Sequence, residues 1–248
     1  MSEQTASTRP DPSPAGALLW ALISSGLLAA WIGWQMGWVW ALAGVFGVLV
    51  HESGHVLAIN ALGCGPGRME FVPFVGGAAY PRIPPPTEFK GVLIALAGPV
   101  FGLLAMAPFF MAYAWTGDGQ WLGGAFFIAA INLLNLAPAP PLDGSKAFGP
   151  VLARVHPWLE RAALLAIGGV TVLWALNRGS YVLAIFIGLG MFGAMQRGRL
   201  RPFAQRLTVG ESLATLGLYA GAVALCVGAV AFTLNGPIVD SLRRFLGL

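Results

Sequence analysis

Long apolar blocks separated by short stretches of charge, glycine and proline place seven membrane-length helices along this chain. They fall at about 16 to 34, 37 to 62, 90 to 115, 120 to 137, 160 to 177, 180 to 196 and 210 to 234. No charged residue occurs between Pro12 and Val50. That stretch is too long for one span of about 20 residues and suits two, with the turn between them at Gly33 to Gly37 around Gln35. The expected fold class is therefore an α-helical polytopic membrane protein of about six to seven transmembrane helices. One segment breaks the pattern: in the loop 68 to 83, Met69 to Val75 and Ala78 to Tyr80 flank Gly76-Gly77, which reads as a short membrane-associated β-hairpin. Apolar strands beside a membrane helix need their backbone groups satisfied. The free edge of such a hairpin at Gly76 and Gly77 is suited to receiving an extended peptide as an added strand.

Composition agrees with the pattern. Of 248 residues, 57% are hydrophobic and 10% charged, against about 25% charged in ordinary soluble domains. The 34 glycines suit helices that approach closely through small residues. With the N-terminus in the cytoplasm, all lysines and arginines except Arg178, Arg243 and Arg244 fall on the cytoplasmic side, as the positive-inside rule requires. The net charge of +4 thus describes loops facing the anionic leaflet of a lipid bilayer, densest from Arg197 to Arg206, and not a nucleic-acid surface. Residues 1 to 15 read as a disordered cytoplasmic tail, 147 to 235 as C-terminal transmembrane helices, and 236 to 248 as an amphipathic tail. Cys64 and Cys226 match no ligand spacing and read as packing residues.

The chemistry lies in the second apolar block. His51-Glu52-Ser53-Gly54-His55 is an HExxH motif. Two histidines four apart share a helix face and reach one zinc ion, and the glutamate between them can activate a metal-bound water. His51 stands about two-thirds of the way along its span, inside the bilayer and nearer the cytoplasm. Ionisable groups at that depth are costly and by default imply function. Such a site needs a third protein ligand and an open position. Asp143 is the prominent acidic candidate, within Asn135-Leu136-Ala137-Pro138-Ala139-Pro140-Pro141-Leu142-Asp143-Gly144. Its three prolines forbid a regular helix, so Asp143 would project from an unwound segment; capping a helix that starts near Ser145 is the competing role. Asn132 reads as a helix–helix hydrogen bond, and His156 as solvent-facing.

The two elements, HExxH at 51 to 55 and NxxPxPxLDG at 135 to 144, resemble those of the site-2 protease family of intramembrane zinc metalloproteases. Ala97-Gly98-Pro99-Val100-Phe101-Gly102 resembles that family's glycine motif, and the hairpin at 68 to 83 resembles its strand-rich insertion. The resemblance implies His51, His55 and Asp143 as ligands of one Zn2+ per chain, Glu52 as general base and Asn135 as a polar group near the substrate. It also implies a three-helix catalytic core over 37 to 146, a membrane protein substrate with a transmembrane helix, and residence in a bacterial plasma membrane. Neither a PDZ domain nor a nucleotide-sensing domain is expected, because only 116 to 119 separate the third and fourth spans and only three spans follow the core. Three rival readings stand beside it. A different membrane HExxH class would take Glu160 or Glu211 as third ligand; a metal transporter would use Asp118 or Asp240 on the far side; an inactive relative would act as a scaffold.

Overall fold

The computed structural model describes residues 14–72, 76–196 and 205–234. Residues 1 to 13 of the tail expected at 1 to 15, the tail at 236 to 248, the hairpin tip at 73 to 75 and most of the basic cluster lie outside them, whereas Pro14 and Ala15 belong to the first helix and not to a disordered tail. α1 (Pro14–Met36) and α2 (Trp38–Ala61) are separated by Gly37 alone. This residue sits at φ 102°, a backbone conformation that L side chains rarely adopt, so the turn expected at Gly33 to Gly37 falls on the residue best able to make it. β1 (Arg68–Val72) and β2 (Gly76–Tyr80) pair antiparallel in the register Arg68 to Tyr80 through Val72 to Gly76. Gly76 and Gly77 therefore belong to the second strand, opposite Val72 and Phe71, and are not the turn between the strands. The hairpin packs against α1 and α2.

The third apolar block is not one regular helix. α3 (Glu88–Gly102) gives way to a 3-10 turn at Leu103–Met106 and then to α4 (Ala107–Thr116). Pro108 near the start of α4 has no N–H for the carbonyl of Leu104 and would crowd it in a regular helix. The chain tightens instead, with Ala107 N–H donating to Leu104 O. α5 (Gly119–Asn135) begins at Asp118, whose carboxylate accepts from Gln120 N at 2.9 Å. That capping bond gives Asp118 a structural role. The proline-rich stretch then unwinds as expected, and α6 (Asp143–Val155) begins at Asp143 itself. α7 (Pro157–Asn177) is capped by exposed His156, whose Nδ1 accepts from Trp158 N at 3.1 Å. α8 (Tyr181–Gln196) and α9 (Val209–Leu234) complete the described elements.

Among the described residues five segments are long and apolar enough to cross a membrane: Leu19–Met36, Trp38–Ala61, Glu88–Thr116, Pro157–Asn177 and Val209–Leu234. The other two expected spans are α5 with 17 residues and α8 with 16. At about 1.5 Å per residue these reach roughly 24–26 Å, short of a hydrocarbon core of about 30 Å. Polarity runs inward from the surface. Large apolar side chains such as Met111, Trp115, Leu173 and Ile185 are exposed, whereas His51, Glu52, His55, Asn132 and Asp143 are buried.

α2, the 3-10 turn, α4 and α5 meet in an apolar cluster of Val39, Ala43, Ala105, Met106, Phe109, Ala125, Ile128 and Ala129. This cluster fixes the spacing of the helices that carry the polar groups. α3 comes close to α2 because Gly54 has no side chain: a Cβ there would stand 2.6 Å from both Ala97 O and Phe101 Cβ. At the end of this bundle a clasp ties three elements together. Leu207 N donates to Glu88 at 3.0 Å, Glu88 N donates to Gln205 O at 3.0 Å, and Arg154 donates to Leu207 O at 2.6 Å.

Candidate metal centre

One turn of α2 separates His51 from His55, so both imidazoles leave the same face. That face looks toward α3 and the start of α6. His51 Nε2 and His55 Nε2 are 3.1 Å apart, and Asp143 Oδ2 lies 3.1 Å from the first and 3.0 Å from the second. All three residues are buried, with 4%, 6% and 5% of their surface exposed. Among the described residues they form a group of the kind that can hold a metal ion.

The hydrogen bonds on the far side of each ring assign the tautomers. His55 Nδ1 faces the carbonyl of Ile94 at 2.7 Å. A carbonyl only accepts, so this nitrogen carries the proton. His51 Nδ1 lies 2.8 Å from Asn132 Oδ1, while Asn132 Nδ2 donates to Ile128 O at 2.8 Å. The amide is thereby oriented with its oxygen toward His51, and His51 Nδ1 is likewise the donor. In the neutral rings both Nε2 atoms then present lone pairs to each other and to a carboxylate oxygen. Three acceptors at 3.0–3.1 Å repel unless a proton or a metal ion stands among them, and with both Nδ1 atoms held by outer acceptors the group is one that could hold a metal ion.

Glu52 lies on the adjoining face of α2, 5% exposed, and its Oε2 has no hydrogen-bond partner among the described residues. A buried carboxylate oxygen without a donor is expensive, as expected of a group meant for a water or a substrate. Gly77 of β2 packs on it: a Cβ at Gly77 would run into Glu52 Cγ and stand 2.9 Å from its carboxyl carbon. The hairpin is therefore laid over the general-base candidate by a residue without a side chain.

Asp143 does not cap α6 through its side chain. Leu142 occupies the cap position, and the Asp143 carboxylate turns to the histidines and to Lys146. Gly144 permits this, because a Cβ there would strike the carbonyls of Leu136 and Ala137 where the unwound stretch folds back on the helix. Asn135 is one turn too far along α5 to touch the ligands. Its Nδ2 bonds Ile131 O at 3.2 Å, and it borders an apolar cavity of about 180 Å³ that also takes in Leu142, Trp31 and Phe186. Gly76 pairs with Val72 through the backbone.

Three contributors were not expected at the site from the sequence. Asn132 does form a helix–helix hydrogen bond, as its position suggested, and its partner is the His51 ring. Ile94 acts through its backbone carbonyl and leaves no sequence signal. Gly98 lies under the rings, so that a Cβ would meet His55 Nε2 and Cε1 and stand 2.8 Å from His51 Nε2. The signal for Gly98 was its place in the glycine motif. Of the rival third ligands, Glu211 bonds Thr208 at the start of α9 and Glu160 is buried on α7; neither joins the group. Comparison of the chain with protein-family models, with curated proteins and with solved structures finds no match.

Proposed function

We propose that this chain is an integral membrane zinc metalloprotease that hydrolyses peptide bonds in or near transmembrane segments of other membrane proteins. The site-2 protease family, which its two motifs resemble, is the class it would join. The observation that carries the reading is the convergence of His51 Nε2, His55 Nε2 and Asp143 Oδ2 within 3.0–3.1 Å beside a buried glutamate oxygen with no partner.

The donor set fits zinc. Two imidazole nitrogens and one carboxylate oxygen are common ligands, and three of them leave a fourth position for catalysis. Tetrahedral bonds of about 2.0–2.1 Å place donors roughly 3.3 Å apart, so the present spacing needs adjustments of only a few tenths of an ångström. When bound, the ion would supply Lewis acidity toward a water and the scissile carbonyl.

The chain's own groups do the rest. Asn132 and Ile94 O hold the two rings with Nε2 turned inward. Glu52 takes the proton of the attacking water and passes it to the leaving amine, with its free oxygen as acceptor. A helical peptide bond is guarded by its own hydrogen bonds, so substrate must be drawn out locally, and an edge of the 68 to 83 hairpin offers strand pairing for that purpose. The exposed apolar surface of the long helices supports a reaction within a bilayer, for which a bacterial plasma membrane is the proposed location.

The test is cleavage in reconstituted vesicles. Purified protein is incorporated with a panel of single-span membrane proteins, and fragments are mapped by mass spectrometry. New cleavage within or beside a span that disappears in Glu52→Gln and after chelation, and returns with zinc, supports the reading. Identical fragments from wild type and Glu52→Gln would sink it.

A further inference from the structure

The outer partners of the three ligands are of two kinds. Asn132 and Ile94 O hold the histidines from inside the bundle. Asp143 instead turns one oxygen each way: Oδ2 toward the histidines, and Oδ1 toward Lys146 Nζ at 2.9 Å. The carboxylate side chain is 6% exposed, whereas that of Lys146 is 63% exposed. The lysine therefore reaches from the accessible side of α6 to the back of a buried ligand.

Resting on the metal-site reading above, we propose that Lys146 is a positioning residue for this centre, holding Oδ1 so that Asp143 offers a single oxygen to the ion. A carboxylate has two equivalent oxygens and can present either or both. With both turned inward it would compete for the position that water requires. A charge-assisted bond on Oδ1 removes that option. The ammonium also offsets one of two negative charges, Asp143 and Glu52, gathered in a site of low dielectric.

Helix stability does not account for the lysine. Near the N-terminus of α6 the helix dipole disfavours a cation, and an i,i+3 ion pair adds only a few tenths of a kcal/mol to the helix itself. Exposure suits the proposed role, because a side chain that keeps part of its hydration avoids the full cost of burying an ammonium.

The test is zinc affinity of the detergent-purified full chain, by competition with a chromogenic chelator, for wild type, Lys146→Met and Lys146→Arg, with His51→Ala as the control for binding at this site. Lys146→Met should weaken zinc binding about 10–100-fold, the usual effect of losing an outer partner. Lys146→Arg, which keeps a charged donor, should stay near wild type. The visible spectrum of the Co2+-substituted protein should change in Lys146→Met and not in Lys146→Arg. Equal affinity and spectrum in Lys146→Met and wild type would overturn the proposal while leaving the metal site standing. Equal losses in both variants would overturn it in favour of packing. Wild type that binds no more zinc than His51→Ala would overturn both readings.

Discussion

Gly98→Ala adds one methyl group and should remove the metal. The new Cβ overlaps His55 Nε2 and Cε1 and stands 2.8 Å from His51 Nε2. An ordinary carbon–nitrogen contact of about 3.5 Å requires the His51 ring to retreat by about 0.7 Å, and the His55 ring by more. Metal-ligand distances tolerate about ±0.2 Å, so both donors leave the range in which they can bind one ion. Neither ring has an easy retreat, since His51 is tied to Asn132 and His55 to Ile94 O. Moving α3 outward instead would open its close contact with α2 at Gly54. Helix propensity favours alanine over glycine by about 0.5–1 kcal/mol, so general unfolding is not the expected outcome. Zinc affinity should fall at least 10–100-fold, measured by chelator competition on purified protein whose circular dichroism matches wild type. Gly188→Ala on α8, where a Cβ meets nothing within 4 Å, should bind zinc as wild type does. Undiminished zinc binding by Gly98→Ala would refute the placement of the two rings against α3.

Asn132→Ala deprives the His51 Nδ1–H of its acceptor; zinc affinity should drop about 10–100-fold, with about 1–3 kcal/mol lost from stability, read in the same titration and in thermal unfolding. Glu52→Gln should retain one zinc per chain by elemental analysis yet lose about 10²–10⁴-fold of cleavage rate in vesicles. Gly77→Ala presses on Glu52 Cγ and should lower cleavage much more than zinc affinity, whereas equal loss of both would mean that the hairpin serves the metal and not the base. Asp143→Asn keeps the size of the side chain but removes its charge, and its zinc content should fall well below wild type at equal free metal.

The helix pattern was readable because exposed and buried positions of the helices are both apolar, which makes each block conspicuous. The same property hides detail. The run from 90 to 115 holds two prolines, and the sequence alone does not tell that Pro99 stays within α3 whereas Pro108, which denies Leu104 a regular partner, brings the break at 103 to 106. The register of the hairpin was likewise hidden: two adjacent glycines look like a turn, but in the fold they form the start of a strand because Gly77 must pass over Glu52. At the site, HExxH declares itself through local spacing on one helix, and Asp143 through a proline-rich setting that can hold a buried carboxylate next to an unwound stretch. Asn132, Gly98 and Lys146 were not legible as site residues, since each acquires its meaning only from a neighbour distant in sequence. Asn135 illustrates the converse. One turn along α5 from Asn132, it borders a cavity while its neighbour holds the ligand, a difference that the sequence alone does not resolve.

The central claim is a three-ligand zinc site, and elemental analysis of the detergent-purified protein tests it most directly. Wild type, the His51→Ala, His55→Ala double variant and Asp143→Asn are compared after identical exposure to zinc and removal of excess. The account predicts about one zinc per chain in wild type, none above background in the double variant and much less than one in Asp143→Asn. Folded wild type without zinc, or zinc that persists undiminished in both variants, would contradict it.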